Sequence, residues 1–295
     1  MRQSRPMSPL AFVDLETTGA TAASDHITEI GIVEVDPDGT VREWQQLVNP
    51  GVPISPFIQQ LTGISNAMVA AAPPFAAIAD EVFARLQGRL FIAHNARFDY
   101  GFLKQEFARS GLCFRATTLC TVKLSRDLYP DYKRHSLDAL IERHQLRAAA
   151  RHRALADAQL VHQFWQKIHV DRSLDEIACA LDLQHASPAL PPELDPAILD
   201  QLPEKGGVYL FYGEHQGASD QPLYIGRARD LRSRILSHFP ARPPAGAKYQ
   251  RKQKMAQSVR RITWEEIANH ESAQDRENLL IRSLQPVYNR PAKRN

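Results

Sequence analysis

The sequence is poor in the residues that staple or anchor a chain. It has three cysteines in 295 residues, Cys113, Cys120 and Cys179; no two are close and the count is odd. A disulfide framework is excluded, and reduced thiols in a cytoplasm, serving as core filler, are expected. No apolar run approaches the roughly 18 residues that a membrane span requires. The N-terminal MRQSRPMSPLAFVDLE loses its apolar stretch to Asp14 after four residues, so neither secretion nor membrane insertion is signalled. Internal repeats and low-complexity segments are also missing. The remaining composition, 43% hydrophobic and 23% charged, is that of a globular chain long enough for two domains.

Net charge is small at +3, but it is unevenly spread. Residues 1–170 carry 18 Lys and Arg against 17 Asp and Glu, residues 171–199 carry 1 against 6, and residues 200–295 carry 17 against 10. The basic field is confined to the C-terminal third. That is the footprint of a domain meeting a polyanion, although an Arg-rich surface can also be merely solvated.

The N-terminal region opens with strand signals: LAFVDLE, then HITEIGIVEV with period-two alternation, then EWQQLV ahead of Asn49-Pro50-Gly51. These read as a meander. From Phe75 the pattern turns helical through Ile78, Val82 and Leu86 and stops at Gly88, before a new apolar run, RLFIAHN. SLDALIERHQL and RALADAQLVHQFWQKI predict later helices, so the region is an α/β or α+β layer domain. HASPALPPELDP, residues 185–196, carries four prolines and closes an expected linker over 171–196, helical in its first part and proline-rich in its second. Beyond it come strands GVYLFY and PLYIG, a helix DLRSRILSHF, a basic stretch, and a helix ESAQDRENLLIRSL stopped by Pro286. The expected domains are 8–170 and 197–295.

Several acids stand where apolar residues belong. In FVDLETTG, Asp14 and Glu16 are two apart in a strand and point the same way. Two adjacent carboxylates leave water only with a compensating cation or hydrogen-bond network. Asp99 lies between Phe98 and Tyr100, and Asp157 falls on the helical stripe of Ala154, Val161, Phe164 and Ile168. His152 is about 140° from Asp157 at 100° per residue, which places it at the helix entrance. Each alone has a bland reading as a wet face, a hydrogen-bonded core acid or a surface histidine. Together they match a two-metal hydrolase: carboxylate oxygens hold two Mg²⁺-like ions about 4 Å apart, and a histidine takes the proton of the attacking water.

These motifs carry a resemblance. FVDLETTG, HNARFDYGFL and HRALADA are similar to the three motifs of the DEDDh exonuclease family, and LTGIS, AAPPF and RHSLDALIERHQL resemble its supporting segments, over about residues 8–170. The resemblance implies a ribonuclease-H-like fold with a mixed sheet and 3′-to-5′ release of nucleoside monophosphates. It also implies two Mg²⁺ or Mn²⁺ ions on Asp14, Glu16, Asp99 and Asp157, with His152 as general base.

In the C-terminal region Arg234 lies beside the stripe of Leu231, Ile235 and Phe239, and Glu277 interrupts that of Ala273, Leu280 and Leu284. The two either pair with each other at a core edge, or serve catalysis by binding phosphate and one divalent ion. GVYLFY, PLYIGRARDLRSRILSHF and RENLLIRSLQPVYN resemble the GIY-YIG nuclease module of UvrC-type excinucleases, over about residues 203–290. The resemblance implies a small α/β domain in which Tyr209 and Tyr224 are the motif tyrosines, Gly226 the motif glycine, Arg234 the catalytic arginine, Glu277 the ligand of one Mg²⁺ or Mn²⁺, and Asn289 the late asparagine. Arg227 stands where that module usually has lysine; a guanidinium stays protonated and cannot serve as a base, though it can bind phosphate. No acid lies between Asp230 and Glu265, while Arg232, Arg234, Arg242, Lys248, Arg251, Lys252, Lys254, Arg260 and Arg261 accumulate. That stretch is either a disordered basic loop or a phosphate dock; Gly226, Arg227, Arg232, Lys248, Arg251, Lys252, Lys254 and Asn289 are the expected nucleic-acid contacts.

The expectation is a bifunctional, metal-dependent DNA nuclease of the bacterial cytoplasm and nucleoid. It would act on single-stranded 3′ ends and damaged or branched duplex, alongside other DNA repair proteins and away from membranes. Two alternatives stay open: an exonuclease whose second domain only binds DNA, and an RNA-processing exonuclease.

Overall fold

The structure, a computed structural model, describes residues 8–147, 151–241 and 247–289, and the chain divides into two compact units, Met1–His185 and Ala186–Asn295. In the first, β1 (Leu10–Thr17), β2 (Ile27–Val35) and β3 (Val41–Leu47) form an antiparallel meander. β4 (Leu90–Ala93) pairs parallel with β1, and β5 (Thr118–Cys120) parallel with β4, giving a mixed sheet in the order β3-β2-β1-β4-β5. Its helices are α1 (Pro56–Thr62), α2 (Asn66–Ala70), α3 (Phe75–Leu86), α4 (Ala96–Arg109), α5 (Thr121–Leu128), α6 (Leu137–His144), α7 (Ala154–Asp171) and α8 (Leu174–His185).

Alternation along β1 creates two apolar layers. Ala11, Val13 and Leu15 join Phe102, Leu103 and Phe107 of α4, together with Val82 and Leu86 of α3. Leu10 and Phe12 join Leu160, Val161 and Phe164 of α7. Asp14 and Glu16 continue the Phe12 side, the side of α7. β2 departs from its alternating sequence, because all nine of its residues are buried. Its acids are matched inside: Glu34 accepts from Arg85 at 3.0 Å and Arg42 at 3.2 Å.

Residues 171–196 are not the spacer expected of them. α8 packs Ile177 and Ala180 into the α7 layer, and Gln184 closes the free edge of β5, accepting from the Cys120 amide at 2.9 Å and donating to its carbonyl at 3.2 Å. The proline-rich half goes to the other unit: Leu194 is buried in its core, the Ala189 amide donates to the Phe239 carbonyl, and Glu193 pairs with Arg260. Proline rules out a helix there without ruling out burial of the leucines between. The cysteines also depart from expectation, since Cys113 and Cys179 are exposed and Cys120 is half-buried.

The second unit is a three-stranded antiparallel sheet of β6 (Gly207–His215), β7 (Ala218–Ala228) and β8 (Val259–Glu266), with β6 central. Its helices are α9 (Ile198–Gln201), α10 (Leu231–Leu236), α11 (Ala247–Ser258) and α12 (His270–Leu284). Tyr209 and Phe211 face Leu231, Ile235 and Met255 of α10 and α11; Val208, Leu210 and Ile225 face Ala273 of α12. The basic stretch, expected as either a disordered loop or a phosphate dock, contains α11 and β8, because Met255, Val259 and Ile262 give it an inward side. No helix among the described residues is long and apolar enough to cross a membrane.

Candidate active sites

β1, β4 and β5 are parallel, so their carboxyl ends share one edge of the first sheet. Asp14 and Glu16 stand on β1 near that edge. Asn95, at φ 78°, turns the chain from β4 into α4, and Asp99 in the first turn of α4 reaches β1, where the nearby Leu15 amide favours its charged form. From the other layer α7 brings Asp157 in its own first turn. Asp99 and Asp157 are buried, and ligand atoms of Glu16, His152 and Asp157 lie within 4.8 Å of one another. The four acids and the histidine singled out from the sequence thus converge from β1, α4, α7 and the turn before α7.

Their electrostatics record the crowding. Burial, then repulsion from Asp99, Asp157 and Glu16, holds the Asp14 carboxyl well above the usual range. Burial, with Asp157 and Glu29 behind it, pushes Glu16 up to about 7, and burial pushes Asp99 up to about 8. The donor set is therefore short of positive charge, the condition that hard divalent ions relieve. Arg151 supplies part of it: its guanidinium bonds both oxygens of Asp157 and reaches Asp138 at 2.9 Å.

Two supports were not foreseen. Glu29, buried on β2 opposite Glu16, accepts from the Ala154 amide at 2.9 Å and from Arg153 Nε at 3.0 Å. It thereby caps α7, whose own N-cap residue Arg153 offers no side-chain acceptor. Gly31 pairs with Asp14, and a Cβ there would come within 2.2 Å of the Leu155 amide nitrogen. Glycine at this point lets the first turn of α7, and with it Asp157, lie against the sheet. An acid and a glycine inside an apolar strand were the available signal.

In the second unit Tyr209 is fully buried, with its hydroxyl 2.8 Å from His238 Nε2 and its ring 6.1 Å from that of Tyr224. Arg234 comes within hydrogen-bonding reach of both tyrosine hydroxyls. Burial, reinforced by Tyr224, raises the Tyr209 hydroxyl well above its ordinary range, while Arg234 opposes the shift. His238 was not singled out, although it follows Arg234 by four residues, about one helical turn. Burial, with Arg234 and Lys252 nearby, pushes its pKa down to about 4, so it is neutral at pH 7. Gly226 makes room for this cluster: it faces Tyr209 across β6 and β7, and a Cβ would stand 2.5 Å from the tyrosine oxygen.

Comparison with known proteins finds a family model for each unit. The family model described as Exonuclease matches residues 11–163. The chain belongs to this exonuclease family. The model of a UvrC-like GIY-YIG domain matches residues 205–290 of the same chain. A PolC-type DNA polymerase III of Caldanaerobacter subterraneus subsp. tengcongensis is 38% identical over 155 residues, 52% of this chain and 11% of that one. A Mycobacterium tuberculosis protein named as a bifunctional exonuclease/endonuclease is 32% identical over 297 residues, 95% of this chain and 44% of that one. The chain spans less than half the length of either relative. A solved structure of exonuclease I shares the fold, with a TM-score of 0.55 and 14% identity over 98% of this chain and 75% of that one.

Against the GIY-YIG pattern, the remaining expected contacts divide. Arg227 Nη1 lies 2.8 Å from Glu277 Oε2, so the residue at the usual lysine position pairs with the expected metal ligand. By strand alternation this pair lies on the α12 side of β7, opposite Tyr224 and Gly226. Three expected nucleic-acid contacts have structural tasks: Gly226 as above, Arg232 donating to the Leu199 carbonyl, and Asn289, whose amide accepts from and donates to the Ile225 backbone at 2.8 Å each. Asn289 thus extends the edge of β7 as another strand would. Arg260 and Arg261 meet acids from distant segments, Glu193 and Asp220. Arg251, Lys252 and Lys254 remain at the surface of α11; Arg242 and the Lys248 side chain lie outside the described residues.

Proposed function

We propose that the chain is a bifunctional DNA nuclease, a 3′-to-5′ exonuclease joined to a GIY-YIG endonuclease, acting in DNA repair in the bacterial cytoplasm and nucleoid. The observation that carries it is the convergence of Asp14, Glu16, Asp99, Asp157 and His152 on one sheet edge, with too little positive charge for their burial. That donor set fits two Mg²⁺ or Mn²⁺ ions, which when bound clamp the attacking and leaving oxygens of a phosphoryl displacement. The chain's own residues do the rest: the four carboxylates fix the positions, and His152 accepts the proton of the attacking water. DNA is favoured by the relatives, among them a DNA polymerase. Exonuclease residues 8–170, extended by α8 to His185, and GIY-YIG residues 197–295, extended by the proline-rich segment to Ala186, make up the two domains.

In the second domain half-buried Tyr224 orients the nucleophile, buried Tyr209 and neutral His238 brace it through their 2.8 Å hydrogen bond, and Arg234, close to both tyrosines, steadies phosphate charge. Glu277 fits one Mg²⁺ or Mn²⁺ as a single carboxylate ligand. α11 guides the strand with Arg251, Lys252 and Lys254. The Arg227–Glu277 pair favours a second reading, in which this domain binds DNA without cutting it. Cleavage of a closed supercoiled circle and of a 5′-labelled linear strand separates the two. Nicking by wild type that is lost in Glu277→Ala supports the bifunctional reading, and a circle that stays closed throughout leaves an exonuclease with a binding module. Faster digestion of RNA than of DNA 3′ ends overturns the substrate.

A further inference from the structure

The Arg227–Glu277 pair places a fixed positive charge on the one carboxylate proposed to hold a cation in the nicking domain. The two side chains are 32% and 18% exposed, so the pair is sheltered yet within reach of a ligand. Neighbouring guanidinium groups are engaged elsewhere: Arg276 holds Glu265 through two hydrogen bonds of 2.7 Å, and Arg234 is turned to the tyrosines. Arg227 is therefore the cation that competes with a metal ion for Glu277. Phosphate is its natural alternative, because guanidinium binds phosphate in the same bidentate manner as carboxylate. Val287, Tyr288 and Asn289 bond the β7 edge from Pro222 to Ile225, and Arg227 lies beyond them near the end of the strand, on the side opposite Tyr224.

We infer that Arg227 exchanges Glu277 for a phosphate of the docked nucleic acid, so that the carboxylate accepts its cation only when a polyanion is bound. The inference rests on reading this unit as a metal-dependent nuclease, and it gives the arginine at the usual lysine position a task. Lysine would act as a mobile point charge that can lose its proton; arginine stays charged and in the resting state holds Glu277 through one 2.8 Å bond. Coupling of this kind is reciprocal, so the cation also tightens DNA binding.

The test counts Mn²⁺ bound to the full-length protein by electron paramagnetic resonance, with Glu277→Gln as the blank for this ion, with and without a short phosphorothioate duplex. Without DNA, wild type and Glu277→Gln bind equally, while Arg227→Gln takes up one further ion with an affinity about tenfold above wild type, the weight of a sheltered ion pair. Adding the duplex gives wild type the same extra ion. Arg227→Lys, which keeps the charge should Arg227→Gln fold poorly, falls between the two. A Glu277-dependent ion bound without DNA as tightly in wild type as in both Arg227 variants overturns the exchange and leaves the nuclease reading standing. No Glu277-dependent ion in any protein or condition overturns both.

Discussion

In the first unit four carboxylates crowd one sheet edge and, among the described residues, Arg151 and Arg153 lean in to balance them, whereas in the second a single carboxylate, Glu277, already has its arginine. The first site is built around missing positive charge. The second is built around tyrosines, a neutral histidine and guanidinium groups, and has little charge to neutralise. Burial disfavours the charged form in both, raising the acids' pKa values in one and keeping His238 uncharged in the other. One unit thus lacks the positive charge its acids need, and the other already holds it in an ion pair.

The largest expected effect separates the two units. Asp14→Ala should slow digestion of a 5′-labelled strand by about a hundredfold or more while circle nicking continues, and Glu277→Ala should do the reverse, since each removes a group holding the reaction's charge. If both variants lose both activities, the sites are not independent. Steric substitutions follow. Gly31→Val should push α7 from β2 and destabilise the first unit by about 1–3 kcal/mol, the range for overpacking, with loss of exonuclease activity, while Gly226→Ala should displace Tyr209 and depress nicking alone. Denaturant melts beside both assays would show it.

Glu29→Gln keeps the volume and the acceptor to Ala154 but loses the charge facing Arg153; a fall of about 10- to 100-fold in exonuclease activity is expected, with nicking unchanged. A smaller effect is pH-dependent. Folded-state values near 7 for Glu16 and 8 for Asp99 stand above their ordinary 4.5 and 3.8, so the metal-free fold holds protons that the unfolded chain releases. Its stability should fall as pH rises from about 4 to about 8 and then level off. Mg²⁺ must displace those protons, so it should raise Tm more at pH 8 than at pH 6; an equal rise would contradict the account. The smallest is electrostatic. Arg251, Lys252 and Lys254 changed together to Gln should lower the salt slope of DNA binding by about 0.9 for each phosphate that is no longer neutralised, measured with a duplex under non-cleaving conditions.

Much of this was legible because the chemistry leaves a mark in one dimension. Asp14 and Glu16 share a strand face by the period of two, and Asp157 sits on a helical stripe by the period of 3.6, so polar residues out of pattern pointed to the first site. Gly31 and Glu29 carried a fainter mark, since one glycine and one acid in a strand have many explanations. His238 was hidden just past the end of α10, and α11 with β8 behind nine basic side chains, because charge dominates a sequence pattern even where a few apolar residues determine the packing.

The amino-acid order alone determined the two nuclease motifs, their succession along the chain, and the substitution of arginine at 227. Tertiary structure alone decided what the charges meet. Residues 171–196 looked like a spacer and became part of two cores, since burial depends on which surface is near and not on local propensity. Arg260 and Arg261 looked free and found Glu193 and Asp220 from distant segments, and Arg227 found Glu277, fifty residues away. An ion pair is set by distance in space, to which sequence separation is no guide.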